Sequence, residues 1–199
     1  MITAAALSSN WYWYFGRATG FVALFLLTAI MVLGIAGGLR VVSDRWPRFA
    51  IGTLHRDLAL LSVVVIAIHI FVALMDKYVP VPISAAVVPF GVAYRPFWMG
   101  LGAVSFDLML ALIFTSLIRR RLGHRPWRMI HWLAYVSWPV AVAHGIGAGS
   151  DSGSAWALAL TIACCLIVAA AIAIRIRYAL PDRRVLREPG IRLSTEALR

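Results

Sequence analysis

Apolar residues do not alternate with polar ones along this chain; they run in long blocks separated by short polar and basic clusters. Five blocks stand out: Gly16 to Leu39, Gly52 to Met75, Phe97 to Ile118, Pro126 to Ile146 and Ala155 to Tyr178. Each matches the length of about 20 residues that a helix needs to cross a hydrocarbon core. Unpaired backbone groups are too costly in lipid, so such blocks are helical throughout. The pattern therefore predicts an all-α membrane protein, a bundle of five transmembrane helices. The longest internal connection, Asp76 to Pro96, carries Pro80, Pro82, Pro89 and Pro96 among apolar residues such as Val79, Val87 and Phe90. It reads either as a lid on the membrane surface or as a packed surface loop. Gly147 to Ser154 is a short Gly/Ser-rich loop.

Composition agrees with this pattern: 62% of residues are hydrophobic and 14% charged, with a mean hydropathy of +0.85. The net charge of +11 would suggest nucleic acid if it were spread evenly. It is not. Arg40, Arg45, Arg48 and Arg56 surround the first connection, and Arg119, Arg120, Arg121, Arg125 and Arg128 the third. Arg175, Arg177 and a run from Arg183 to Arg199 close the chain, which leaves only Arg17, Lys77 and Arg95 for the other side. The positive-inside rule then puts the N-terminus outside and the C-terminus inside a cell membrane, here expected to be a bacterial inner membrane. The partner implied by charge is membrane lipid, not nucleic acid. Residues 1–10 lack the basic start and long apolar core of a cleavable signal, and Trp11 to Phe15 read as an interfacial aromatic belt. Cys164 and Cys165 are neighbours in one span and are poor disulfide candidates.

Four histidines interrupt the apolar blocks. His55 and His69 are fourteen residues apart in the second span; His131 and His144 are thirteen apart in the fourth. At 1.5 Å per residue either interval covers about 20 Å of helix, most of a core about 30 Å thick. Ionisable groups at such depths are costly and mark functional sites. The second and fourth spans run in the same direction, so depth pairs His55 with His131 near the inner face and His69 with His144 toward the outer face. Each pair can supply both axial ligands of a haem iron, leaving no open position, which suits electron transfer. Fourteen residues return to within about 40° of the same helix face, whereas thirteen leave His131 and His144 about 140° apart. A kink at Pro139 is expected to supply part of that correction.

The segments Leu54-His55-Arg56-Asp57-Leu58, Ala67-Ile68-His69, His131-Trp132-Leu133-Ala134-Tyr135 and Ala143-His144-Gly145 resemble those of the ferric reductase-like transmembrane domain family. That family includes the membrane cores of NADPH oxidases, metalloreductases and the haem subunit of bacterial methionine sulfoxide reductase systems. The resemblance runs from Trp11 through the fifth span, making 1–178 the membrane domain and 179–199 a basic cytoplasmic tail. It implies two haem b groups held by His55, His69, His131 and His144. No Cys-x-x-Cys-His attachment motif is present. Compared with the oxidases, one fewer helix at the start and no dehydrogenase domain are expected. No Gly-rich phosphate loop follows a strand, so a flavin or nicotinamide fold is not expected.

The leading expectation is thus a di-haem b electron-transfer subunit. Its donor would be a cytosolic flavin reductase or quinol, and its acceptor an extracytoplasmic redox protein or ferric iron. A self-contained, quinol-dependent ferric or cupric reductase is the alternative, and a histidine-lined metal or proton transporter a third. Arg56 and Arg128 beside the inner ligands read as partners of haem propionates or as ordinary basic anchors. Arg17 reads as an outer propionate partner or as a snorkelling side chain. Asp107, inside the third span, reads as a neutral or paired carboxyl with a structural or proton-handling role. His124, in a basic loop, reads as solvent-exposed rather than as a fifth ligand. Phe71, Trp132 and Trp138 read first as packing residues.

Overall fold

A computed structural model describes residues 4–39, 47–76 and 81–179. Arg40, Arg45, Lys77 and the basic tail from 180 onward lie outside the described residues. Among the described residues there is no strand. The elements are α1 (Ala4–Gly38), α2 (Arg48–Met75), a 3-10 turn at Ile83–Ala86, α3 (Pro96–Leu117), α4 (Arg119–Leu122), α5 (His124–His131), α6 (Ala134–Ala148) and α7 (Ala155–Ala179).

Among the described residues four helices are long and apolar enough to cross a membrane: Trp11–Gly38, Phe49–Met75, Pro96–Leu117 and Ala155–Tyr178. Their outward faces are apolar too. On α2, exposed Leu60, Val64, Ile68, Phe71 and Met75 recur at three- and four-residue intervals and form one stripe. In water that stripe would be a liability; against lipid it is the expected outer surface. Trp11 to Phe15, exposed at the beginning of the first crossing, lie within α1 rather than before it.

The expected fourth span is interrupted in the structure. Residues 126–146 do not form one α-helix; α5 ends at His131 and α6 begins at Ala134. Between them the chain stays right-handed but tightens. Trp132 N–H donates to Met129 O, Leu133 to Ile130, Tyr135 to Trp132 and Val136 to Leu133, all three-residue bonds. The torsions of Trp132 (φ −64°, ψ −19°) and Leu133 (φ −60°, ψ −17°) are those of a 3-10 helix. Pro139 sits inside α6, so the interruption lies upstream of the proline.

Packing proceeds in pairs. α1 lies mainly against α2, α3 mainly against α6, and α1 also meets α6 and α7. Polar groups join these apolar surfaces, as they do between membrane helices. Ser105 Oγ donates to Ser137 O at 3.1 Å and Ser137 Oγ returns the bond to Ser105 O at 3.2 Å, tying α3 to α6. Trp138 Nε1 donates to Thr28 Oγ1 at 3.2 Å, tying α6 to α1. Between α4 and α5, Gly123 has φ +81°, a region that residues with a Cβ rarely enter. A buried cluster of Met31, Ile35 and Val168 joins α1 to α7, with Trp138 and Tyr135 packed on it. The free Cys164 is buried in α7 and Cys165 half-buried beside it.

Candidate functional site

The structure brings the four span histidines together as two facing pairs. His55 on α2 faces His131 at the end of α5 with ring centres 6.3 Å apart. His69 on α2 faces His144 on α6 at 6.5 Å. The first pair is at the arginine-rich end of the bundle, and the second at the end carrying the 81–95 and 149–154 loops. The angular deficit of the thirteen-residue interval is reduced by the tight stretch. A 3-10 residue turns about 120° where an α residue turns about 100°. The two residues with such torsions, Trp132 and Leu133, add about 40°, reducing a separation of about 140° to about 100°. Part of the correction thus comes from Trp132 and Leu133, upstream of Pro139.

Three rings are tied back by hydrogen bonds. His69 Nδ1 lies 2.8 Å from Gly16 O, His55 Nδ1 3.0 Å from Ile30 O and His144 Nδ1 2.9 Å from Trp98 O. A carbonyl has no proton to give, so each Nδ1 must carry the hydrogen, and the Nε2 lone pair is left available to a metal. Ligating histidines are commonly held in this way. His131 differs: among the described residues its buried Nδ1 has no hydrogen-bond partner, and its ring stacks on Trp127 at 5.0 Å with planes 27° apart.

These spacings fit a haem. Two imidazoles on one iron need ring centres about 6.3 Å apart, taking about 2.0 Å from metal to nitrogen and about 1.15 Å from nitrogen to ring centre. Among the described residues no group of three or more His, Cys, Asp or Glu side chains could hold a metal ion. A porphyrin requires only two protein ligands, because its own nitrogens fill the other positions. At the loop end a cavity of about 880 Å³ reaches both His69 and His144, within the range of roughly 300–1,000 Å³ usual for ligand sites. Its lining includes Leu27, Phe106 and Met109 together with Val81, Ala85 and Tyr94 from the Pro-rich connection. That connection therefore helps to wall the cavity, and Arg95 Nη1 anchors its end to Gly147 O at 2.7 Å.

The secondary candidates are placed as follows. Arg17 also lines the cavity, where it forms an ion pair with Asp151, donates to Ser150 Oγ at 2.8 Å and lies over the Trp13 ring. The sequence reading missed Asp151. The available signal was an acidic residue in a short loop on the same side as one of the few arginines there. Arg56 pairs with the adjacent Asp57, both largely exposed. Arg128 is exposed. Asp107 is half-buried on α3 and, among the described residues, makes no hydrogen bond or ion pair. His124 is exposed at the start of α5, near Trp127. Arg175 of α7 is a further residue absent from the earlier candidates. It donates to Tyr135 Oη at 2.7 Å and lies 4.9 Å from the Trp132 ring centre, on the tight stretch that follows His131.

Residues 8–142 match the family of ferric reductase like transmembrane components. The chain belongs to that family. The matched region contains His55, His69 and His131 and stops just before His144. No curated protein and no solved structure shows significant similarity to the chain. Membership in a ferric reductase-like membrane family, with several apolar helices, marks it as a multi-pass membrane protein suited to electron transfer.

Proposed function

We propose that this protein is a di-haem b transmembrane subunit that takes electrons from a cytoplasmic flavin reductase or from quinol and delivers them to an extracytoplasmic acceptor. The observation that carries this reading is the pair of facing imidazoles at 6.3 and 6.5 Å, three of the four rings being oriented by backbone carbonyls. His55 and His131 would hold one group and His69 and His144 the other. Haem iron would supply one-electron redox chemistry; the protein supplies position, burial and the hydrogen bonds that tune potential. With both imidazoles of a pair committed to one haem, the site would suit electron transfer rather than oxygen chemistry.

In this reading the arginine-rich end faces the cytoplasm of a bacterial cell. The segment from α5 through α6 makes the remaining crossing, giving five. The 81–95 connection limits water at the outer site. Arg56 and Arg17 already have acidic partners, so Arg128 is the better candidate for an inner propionate.

Purified full-length protein, expressed with adequate haem, should show a Soret band and two haems per chain in a pyridine haemochrome assay. Folded, colourless protein under those conditions would overturn the proposal. Reconstitution with menaquinol alone separates the donors. Reduction of ferric complexes without a second protein would favour the self-contained reductase, and no reduction until a flavin reductase is added would favour the subunit.

A further inference from the structure

The partners of the three oriented histidines share a pattern. Gly16 O receives His69, and Gly20 lies four residues on; Ile30 O receives His55, and Gly34 lies four residues on; Trp98 O receives His144, and Gly102 lies four residues on. In each case the imidazole occupies the place of the glycine's missing side chain. A Cβ on Gly20 would come within 3.1 Å of His69, one on Gly34 within 3.2 Å of His55, and one on Gly102 within 2.7 Å of His144. Helix geometry explains why. Side chains tilt toward the N-terminus, so residue i+4 covers the turn containing carbonyl i. Removing that side chain opens the carbonyl to a lateral donor from a neighbouring helix.

We propose that α1 and α3 are ligand-positioning helices, in which a carbonyl and the glycine four residues later form a seat for each of three imidazoles, while Trp127 displaces the fourth seat. Gly20 and Gly34 are separated by fourteen residues, the same interval as His55 and His69 on the facing helix. Fourteen residues beyond Gly102, α3 carries Ser116, not glycine. The equivalent carbonyl, Leu112 O, accepts from Thr115 Oγ1 at 3.2 Å, and Ser116 Oγ accepts from Trp127 Nε1 at 3.2 Å. Trp127 in turn stacks on His131, whose Nδ1 is the unpartnered one. Two helix pairs, α1 with α2 and α3 with α5–α6, therefore repeat one design, and the repeat is broken at one of four positions.

The proposal rests on the haem reading for its main readout, so its test has a second readout independent of haem. In haem-loaded full-length protein, Gly102→Ala should lose one haem and leave the optical and EPR spectra of His144→Ala. Gly20→Ala and Gly34→Ala meet milder crowding, should keep both haems, and should each shift the low-spin EPR signal of one site only. The signal shifted by Gly34→Ala should be the one lost in His55→Ala. Gly52→Ala, where nothing lies within 4 Å of the added carbon, should match wild type. If Gly102→Ala does not fold, Gly20→Ala and Gly34→Ala decide. The proposal fails if these variants behave like Gly52→Ala, or if each disturbs both haems equally. Nitrogen-15 spectra of histidine-labelled, haem-free protein should show Nδ1–H tautomers for His55, His69 and His144, lost one at a time in the matching variants. Those spectra still support or overturn the seats if the wild-type protein takes up no haem.

Discussion

The two ends of the bundle present the same pair of facing imidazoles in different settings. At the loop end both imidazoles are hydrogen-bonded through Nδ1, and they border a cavity walled by the Pro-rich connection and by the Arg17–Asp151 pair. At the arginine-rich end only His55 is so held; His131 relies on stacking with Trp127 and sits at the start of a tight turn clamped by Arg175. Hydrogen-bonded outer partners fix ring orientation and raise ligand basicity. Identical side chains can therefore make unequal sites, with the difference lodged in what stands behind each ring.

In the proposed di-haem reading, the largest expected effect comes from removing one of the four imidazoles. His144→Ala should abolish haem at the loop end and spare the other, and His131→Ala should do the reverse, as read by haemochrome stoichiometry and two-step redox titration. Loss of both haems from either variant in folded protein would mean that the ends are not independent. Next is Trp127→Ala, which removes the main support of His131. Haem affinity at the arginine-rich end should fall by about 10–100-fold, the usual cost of losing an outer-shell partner of a metal ligand. Competition with apomyoglobin measures this, and an equal loss at both ends would erase the contrast.

A smaller effect follows from charge. Asp151→Asn leaves the Arg17 guanidinium uncompensated beside the cavity, and an unbalanced positive charge favours the added electron. The midpoint potential at the loop end should rise while the other stays in place, as spectroelectrochemistry would show. Smallest is Ser105→Ala, which removes part of the α3–α6 pairing. A cost of about 0.6 kcal/mol, typical of hydrogen bonds between membrane helices, should appear in detergent unfolding with haem spectra unchanged. A large spectral change would assign Ser105 a role in the site.

The apolar blocks, the four histidines and their pairing by depth were all legible in the sequence, because helix rise and span length are properties of every α-helix. The tight stretch was not. Trp132 to Val136 contains neither proline nor glycine, and nothing local demands three-residue bonds there. Its surroundings are tertiary: Arg175, forty residues downstream, bonds Tyr135 and covers Trp132. Pro139 drew the expectation because proline is a local signal. The seats were hidden for a related reason. Isolated glycines in apolar helices are common, and Gly20, Gly34 and Gly102 acquire meaning only when a facing ring is known. Asp151 was visible as a residue, but its pairing with Arg17 joins distant parts of the chain.

The matched fourteen-residue intervals on α1 and α2 turn the first helix into a ruler laid along the second. A single residue inserted between Gly20 and Gly34 would rotate one notch by about 100° and slide it by about 1.5 Å relative to the other. Point substitutions can drift freely along the lipid side of that helix, yet its length between the two notches is locked. Insertions and deletions should accordingly be accepted in the connections and refused in this interval, however apolar the added residue.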